Sequence, residues 1–139
     1  MSTTLAGSFR WLTALMLAAV LAAGWAPLTA GQGMQTKQVM RQKLAQSERL
    51  LGALVTSDWA ALDRHGRALE AVTAQPGWDV MRLPEFHKYT VAFQRATLAL
   101  AVAAGERDQR TALTAYTALV ASCVECHSYV ARARIARSE

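Results

Sequence analysis

Apolar residues follow two patterns along this chain, one continuous run near the start and helical stripes after it. The run, Trp11–Leu28, follows Arg10 and precedes small residues that include Ala30. A short positive start, an apolar stretch and small residues are typical of a secretory signal peptide. We therefore expect residues 1–30 to be a cleaved leader and residues 31–139 to be one mature domain. A retained membrane anchor is the alternative, because the run approaches the ~20 residues of a spanning helix.

From Gln35 onward, apolar side chains recur every three or four residues, which is the spacing of one helix face. The first stripe predicts a helix whose charged residues, Lys43 among them, lie mostly outside. Its inward positions are Met40, Leu44, Ser47, Leu51 and Leu54. The fourth stripe predicts a helix over about 108–132. Its inward positions are Leu113, Tyr116, Val120, Cys123, His127 and Val130.

Two more stripes lie between these, and short breaks separate the four segments. The second stripe is Trp59, Leu62, Leu69 and Val72, and the third is Phe86, Thr90, Phe93, Thr97, Leu100 and Ala104. Ser57-Asp58 predicts a helix N-cap, Pro84 suits the first turn of the third helix, and Gly105 stands where a C-cap is expected. No segment in this region alternates at period two, so we expect no strand. Four helices with short links predict an all-α, antiparallel up-down-up-down four-helix bundle.

Composition and charge narrow the range of functions. The 139 residues carry a formal net charge of +5, with 15 basic and 10 acidic side chains. A nucleic-acid-binding domain concentrates positive charge more strongly, so we expect no nucleic-acid partner. After leader cleavage we expect no membrane contact either. The sequence also lacks a recognisable nucleophile–base pair, so we expect a protein that is not an enzyme.

The chain has two cysteines, and they stand three residues apart in the sequence Cys123-Val124-Glu125-Cys126-His127. Covalent haem attachment requires this pattern, because two thiols add to the vinyl groups at one porphyrin edge and the adjoining imidazole reaches the iron. On a helix, Cys123 and His127 share a face and Cys126 lies in the same turn. The pattern predicts haem thioethers at Cys123 and Cys126 and an axial iron ligand at His127.

Other uses of the cysteine pair stay open at this point. A thioredoxin-like CxxC begins a helix after a strand, whereas this pair lies deep in the last predicted helix. Zinc needs three or four protein ligands, and His65 and His87 are the only other histidines. A haem-free helical domain with a redox-active thiol pair is therefore an alternative.

The leader, the four helices and the CxxCH motif near the end resemble the class II cytochromes c, the cytochrome c′ group. Within that group, the segments 39–44, 57–59 and 122–127 are similar to the low-spin, methionine-ligated branch. The resemblance implies a periplasmic protein with one covalent haem c per chain, which passes single electrons to redox partner proteins. It also implies a homodimer as a candidate assembly. Ala131 takes the place of a basic residue that the group commonly has four positions after the haem histidine.

The sixth ligand of the iron separates two functions within this group. The resemblance implies Met40 as that ligand, which would give low-spin iron suited to electron transfer. A methionine on an inward stripe is also ordinary core filling. Met81 could reach the haem only with help from the connection in which it lies. An open sixth position would instead make the chain a five-coordinate cytochrome c′ that binds nitric oxide or carbon monoxide.

Overall fold

The computed structural model describes residues 27–138, and it describes side-chain surroundings for residues 31–133. The predicted leader therefore lies almost entirely outside the described residues. The chain divides into two compact units, Met1–Met34 and Gln35–Glu139. The candidate site belongs to the second unit.

Four α-helices make up most of the described chain. They are α1 (Pro27–Thr56), α2 (Trp59–Val72), α3 (His87–Glu106) and α4 (Gln109–Ser138). Two short 3₁₀ segments, Pro76–Arg82 and Pro84–Phe86, connect α2 to α3. Residues 27–138 contain no strand, so the all-α prediction is confirmed. None of the helices within these residues is both long and apolar enough to cross a membrane.

One hydrophobic core receives side chains from all four helices, as in a helical bundle. Its fully buried leucines are Leu50, Leu62, Leu69, Leu100 and Leu119. Helix α3 packs against both α2 and α4. Helix α1 is tied to α4 by the Tyr116 hydroxyl, which donates to the Ser47 carbonyl oxygen at 3.2 Å.

The turns between α1 and α2 and between α3 and α4 are built alike. Ser57 and Arg107 adopt the left-handed conformation, with φ of 55° and 54°. The next residues, Asp58 and Asp108, send their amides back to the carbonyl oxygens of Ala53 and Ala103, at 2.9 and 3.0 Å. This arrangement is a Schellman closure, which satisfies carbonyl groups that the helix end leaves free.

The aspartate of each turn then caps the helix that follows. Asp58 Oδ1 accepts from the Ala61 amide at 2.9 Å, and Asp108 Oδ1 accepts from the Thr111 amide at 3.2 Å. The predicted N-cap before α2 is therefore confirmed. The predicted C-cap at Gly105 is wrong, because α3 continues through Glu106 and a residue other than glycine takes the left-handed position.

The inward faces of α1 and α4 are shifted by one residue from the predicted stripes. On α1 the buried residues are Val39, Leu50, Ala53 and Leu54, and on α4 they include Ala112, Ala115, Leu119 and Ser122. Leu44 and Leu113, which were expected inside, are 62% and 55% exposed. On α4 the inward face carries mostly small residues, which allow close approach of the helix backbones, and the larger Leu113 stands at its edge. The stripes of α2 and α3 are largely as predicted.

Candidate functional site

The CxxCH motif lies within one turn of α4 and divides between two faces of that helix. Both thiols are free and half-buried. The inward face passes through Ser122 and Cys126, whereas His127 is exposed. The sequence placed His127 on the inward stripe, and the one-residue shift of α4 explains why it lies outside.

Cys126 lines a narrow cavity of about 10 Å³ to which every part of the unit except α2 contributes. Other lining residues are Lys43 from α1, Trp78 and Met81 from the connection, Phe93 from α3 and Ser122 from α4. The remaining lining residues are Phe86, from the second 3₁₀ segment, and Tyr89 and Thr90, from the first turn of α3. The cavity therefore joins segments that are far apart in the sequence.

Aromatic rings form much of the wall of this cavity. The ring centroids of Trp78 and Phe93 are 5.4 Å apart, with the rings tilted by 38°. Phe86 and Tyr89 both meet the ring of Tyr129 on α4, with centroids at 5.8 and 5.6 Å. Such contacts hold the rings in defined positions and keep the surroundings of Cys126 largely apolar.

A close backbone approach fixes the position of Trp78. Gly77 packs against α1, where an added Cβ would lie 2.5 Å from the Gln35 carbonyl oxygen. Only glycine allows this approach without a shift of the backbone. The Thr90 hydroxyl also donates to the Met81 carbonyl oxygen at 2.8 Å, which ties the connection to α3.

Lys43 is the basic residue of the cavity, and the sequence had placed it outside the inward stripe. Its Nζ lies 4.0 Å from the Phe93 ring centroid and 4.9 Å from that of Trp78. Burial lowers the pKa of the Lys43 ammonium, and negative charge on the nearby Cys123 and Cys126 opposes this change. One signal could have identified it: Lys43 stands four residues after Val39, at the spacing of the face that is actually buried.

The ion pairs of the described part of the chain do not include Lys43. They join Arg67 to Asp63 and Arg82 to Asp79, both near the surface. The Lys43 side chain therefore meets aromatic rings and shares the cavity with Cys126, with no carboxylate at ion-pair distance among the described residues.

The structure does not place Met40 among the residues that line the cavity. It is half-buried on α1, one turn before Lys43. Met81 does line the cavity, although its place in the connection had made it a weaker candidate than Met40. His65 instead meets Gln46, with Nδ1 and Oε1 2.8 Å apart, and His87 is exposed.

The environment of Cys126 disfavours a reactive thiol pair. Burial raises the pKa of the Cys126 thiol, with Lys43 opposing and Cys123 reinforcing the change. A raised pKa keeps a thiol protonated at neutral pH and weakens it as a nucleophile. Within the described residues, no three His, Cys, Asp or Glu side chains form a metal-binding group, so the zinc alternative has no ligand set there.

The donor set fits a covalent haem better than it fits zinc. Haem brings its own four nitrogens and needs two thiols and one or two axial side chains from the protein. Cys123, Cys126 and His127 supply these groups within one helical turn, and aromatic rings surround Cys126. Because the cavity is narrow, a macrocycle would need the helices around it to stand further apart.

Comparisons with known proteins do not test this interpretation. No protein-family model, curated protein or solved structure matches this chain. The resemblance to class II cytochromes c therefore rests on the motifs and their order along the sequence.

Proposed function

We propose that this chain is an exported c-type cytochrome that carries single electrons through one covalently attached haem c. The observation that carries the proposal is the position of the CxxCH motif. Cys126 opens onto a cavity with aromatic walls, while His127 lies one residue further on the exposed face of the same turn. Two thiols and an imidazole in one helical turn are the protein groups that covalent haem requires.

Each residue of the motif has a distinct part in this proposal. Cys123 and Cys126 would hold the porphyrin edge as thioethers, and His127 would supply an axial nitrogen. Bound haem would supply the one-electron chemistry. The rings of Trp78 and Phe93 would keep water away, which favours a raised reduction potential. Electron transfer of this kind needs no substrate chemistry from the chain itself.

The up-down-up-down order of the helices is part of the same proposal. The two similar turns lie side by side, because Gln109 Nε2 donates to the Leu54 carbonyl oxygen at 2.8 Å and Ser57 Oγ meets Gln109 Oε1 at 3.2 Å. Lys43 and Cys126 lie roughly 20–25 Å from these turns along α1 and α4, at 1.5 Å per residue. In an up-down-up-down bundle the first and third turns lie at the same end, as these two turns do. The cavity lies well away from them.

We further propose that the mature chain works in the periplasm with redox partner proteins and without nucleic acid or membrane contact. A homodimer would have a ready surface on α1, where Leu44, Leu51 and Val55 are 62%, 47% and 74% exposed. Apolar side chains at helical spacing are typical of a surface that packs against another helix.

Expression of the full chain in a host that makes c-type haem tests the function. We expect a haem-staining band on a denaturing gel and an intact mass that lacks residues 1–30 and includes one haem. Cys126→Ser should reduce covalent haem sharply, while Ser128→Ala, two residues further on α4, should retain it. A chain without haem stain would contradict the proposal. A spectrum that shifts with carbon monoxide would replace electron transfer by gas binding at the same haem.

A further inference from the structure

We propose that Lys43, rather than Met40, is the side chain that α1 presents to the sixth position of the haem iron. This inference rests on the proposed function, because it requires a haem attached at Cys123 and Cys126. It assigns nitrogen ligands to both axial positions, where the sequence motifs implied nitrogen and sulphur.

The phase of α1 is the first observation. Val39, Leu50 and Leu54 are buried and define the inward direction of the helix. At about 100° per residue, Lys43 lies about 40° from Val39 around the helix and about 20° from Leu50. Met40 lies about 100° from Val39, toward the side on which Leu44 is exposed. Lys43 therefore points more nearly into the bundle than Met40 does.

The contacts of Lys43 are the second observation. Its amine approaches the Phe93 ring centroid to 4.0 Å, and its side chain lines the same cavity as Cys126. A porphyrin bonded to Cys126 would have to enter this space, between α4 and the rings that Lys43 meets. Lys43 is the one residue that α1 contributes to the described lining of this cavity.

The electrostatic setting of Lys43 agrees with a neutral amine. A partly buried ammonium without a carboxylate partner is costly, and its contacts with aromatic rings offset only part of that cost. Burial lowers the pKa of Lys43, whereas charge on the two thiols acts in the opposite direction. On ligation, the amine would release one proton to solvent and give its lone pair to the iron, with no change in oxidation state.

Met81 is the sulphur-bearing rival on the same cavity. Its side chain packs against the hydrophobic core, and its carbonyl oxygen is held by the Thr90 hydroxyl. Apolar packing is the ordinary environment of a methionine thioether, so it accounts for the position of Met81 without a bond to iron. The amine of Lys43 has no comparable partner in the described residues, and this difference favours lysine.

Spectra of the holoprotein and four variants test the assignment. We expect low-spin ferric iron in the wild type, without the near-infrared band of a thioether–iron bond. Lys43→Ala and Lys43→Arg should both lose the low-spin electron paramagnetic resonance signal. Arginine keeps the positive charge over the rings but stays protonated, so it separates ligation from a structural role of the cation. Met40→Ala and Met81→Leu should keep the wild-type spectrum.

Lys37→Ala serves as the matched control, because Lys37 is an exposed lysine on the same helix. Haem staining and far-ultraviolet circular dichroism would show that each variant still folds and carries haem. Conversion to high spin in Met40→Ala or Met81→Leu, with both Lys43 variants unchanged, would overturn the assignment. A high-spin wild type would overturn it as well. Absence of covalent haem in the wild type would instead refute the proposed function, and with it this inference.

Discussion

The helix–helix turns and the cavity beside Cys126 differ in how their polar side chains are paired. In the turns, Asp58 and Asp108 accept hydrogen bonds from the helices that they begin, and nearby amides close on carbonyl oxygens. At the cavity, the amine of Lys43 lies over aromatic rings, with no carboxylate among the described residues at ion-pair distance. Polar groups that find hydrogen-bond partners nearby stabilise the fold, whereas polar groups in unfavourable surroundings concentrate at functional sites. The difference therefore separates the structural part of the molecule from its candidate site.

The largest effect is expected where the connection meets α1. Gly77→Val should destabilise the fold by about 2–3 kcal/mol, because the new side chain would overlap the backbone at Gln35. Urea denaturation followed by circular dichroism measures the free energy of unfolding. Gly52→Ala is the control, since its added Cβ would meet nothing within 4 Å. Alanine within a helix should be favourable there by about 0.5–1 kcal/mol. Equal effects at the two glycines would contradict the close approach.

The second prediction concerns the turn region alone. Asp58→Ala should cost about 1 kcal/mol of stability, because it removes the side-chain cap on the Ala61 amide. Haem staining and the absorption spectrum should not change, since the turn lies far from Cys126. Asp79→Ala is the matched control, because Asp79 takes part only in an exposed ion pair with Arg82. Such pairs contribute about 0–1 kcal/mol, and we expect the low end of that range. A changed spectrum in Asp58→Ala would show that the two regions are coupled.

A smaller effect is expected from the side chain that joins the two turns. Gln109→Ala removes the hydrogen bonds to Leu54 and Ser57 and should cost about 0.5–1 kcal/mol. The midpoint of urea denaturation measures this loss. Gln94→Ala, an exposed glutamine on α3, should stay within about 0.5 kcal/mol of the wild type. If both substitutions had the same effect, the bridge between the turns would contribute nothing.

The smallest expected effect is a pH dependence of the stability that Asp108 contributes in the second turn. Hydrogen bonds from the Thr111 hydroxyl and amide lower the pKa of Asp108 below the 3.8 of an unperturbed aspartate. A carboxyl with a lowered pKa contributes its full stability above the unfolded value and loses it as pH falls through the folded value. The melting temperature of the wild type should therefore exceed that of Asp108→Ala at pH 7, and the gap should narrow below about pH 3.8.

The sequence predicted the helices better than it predicted their faces. Helix α3 combines large and small residues in one clear stripe, so Phe93 and Leu100 are buried as expected. On α1 apolar residues occupy adjacent positions, such as Leu50 and Leu51, and hydrophobicity alone could not decide which of them lies inside. On α4 the small residues Ala112, Ala115 and Ser122 pack inside and Leu113 lies outward. On α1 Leu50 and Leu54 pack inside and Leu44 lies outward.

The candidate site was predictable in its motif and not in its surroundings. CxxCH is a local pattern, and it marks Cys123, Cys126 and His127 as candidates without knowledge of the fold. Lys43 was missed because a charged residue on a helix is normally assigned to the solvent side. Its long apolar stem allows a different outcome, in which the side chain extends along the interior. Left-handed Arg107 was missed for a similar reason, since glycine is the residue usually expected there.

The cavity also carries a consequence for the order of assembly during folding. Its walls come from α1, the connection, α3 and α4, so it exists only after segments distant in the sequence have docked. Such contacts form late, because the entropy of closing long loops must first be overcome. Cys123, Cys126 and His127, in contrast, need only one turn of α4 to reach their relative positions. Chemistry at the two thiols can therefore precede closure of the cavity, and a group bonded there would act as a template on which the other helices pack.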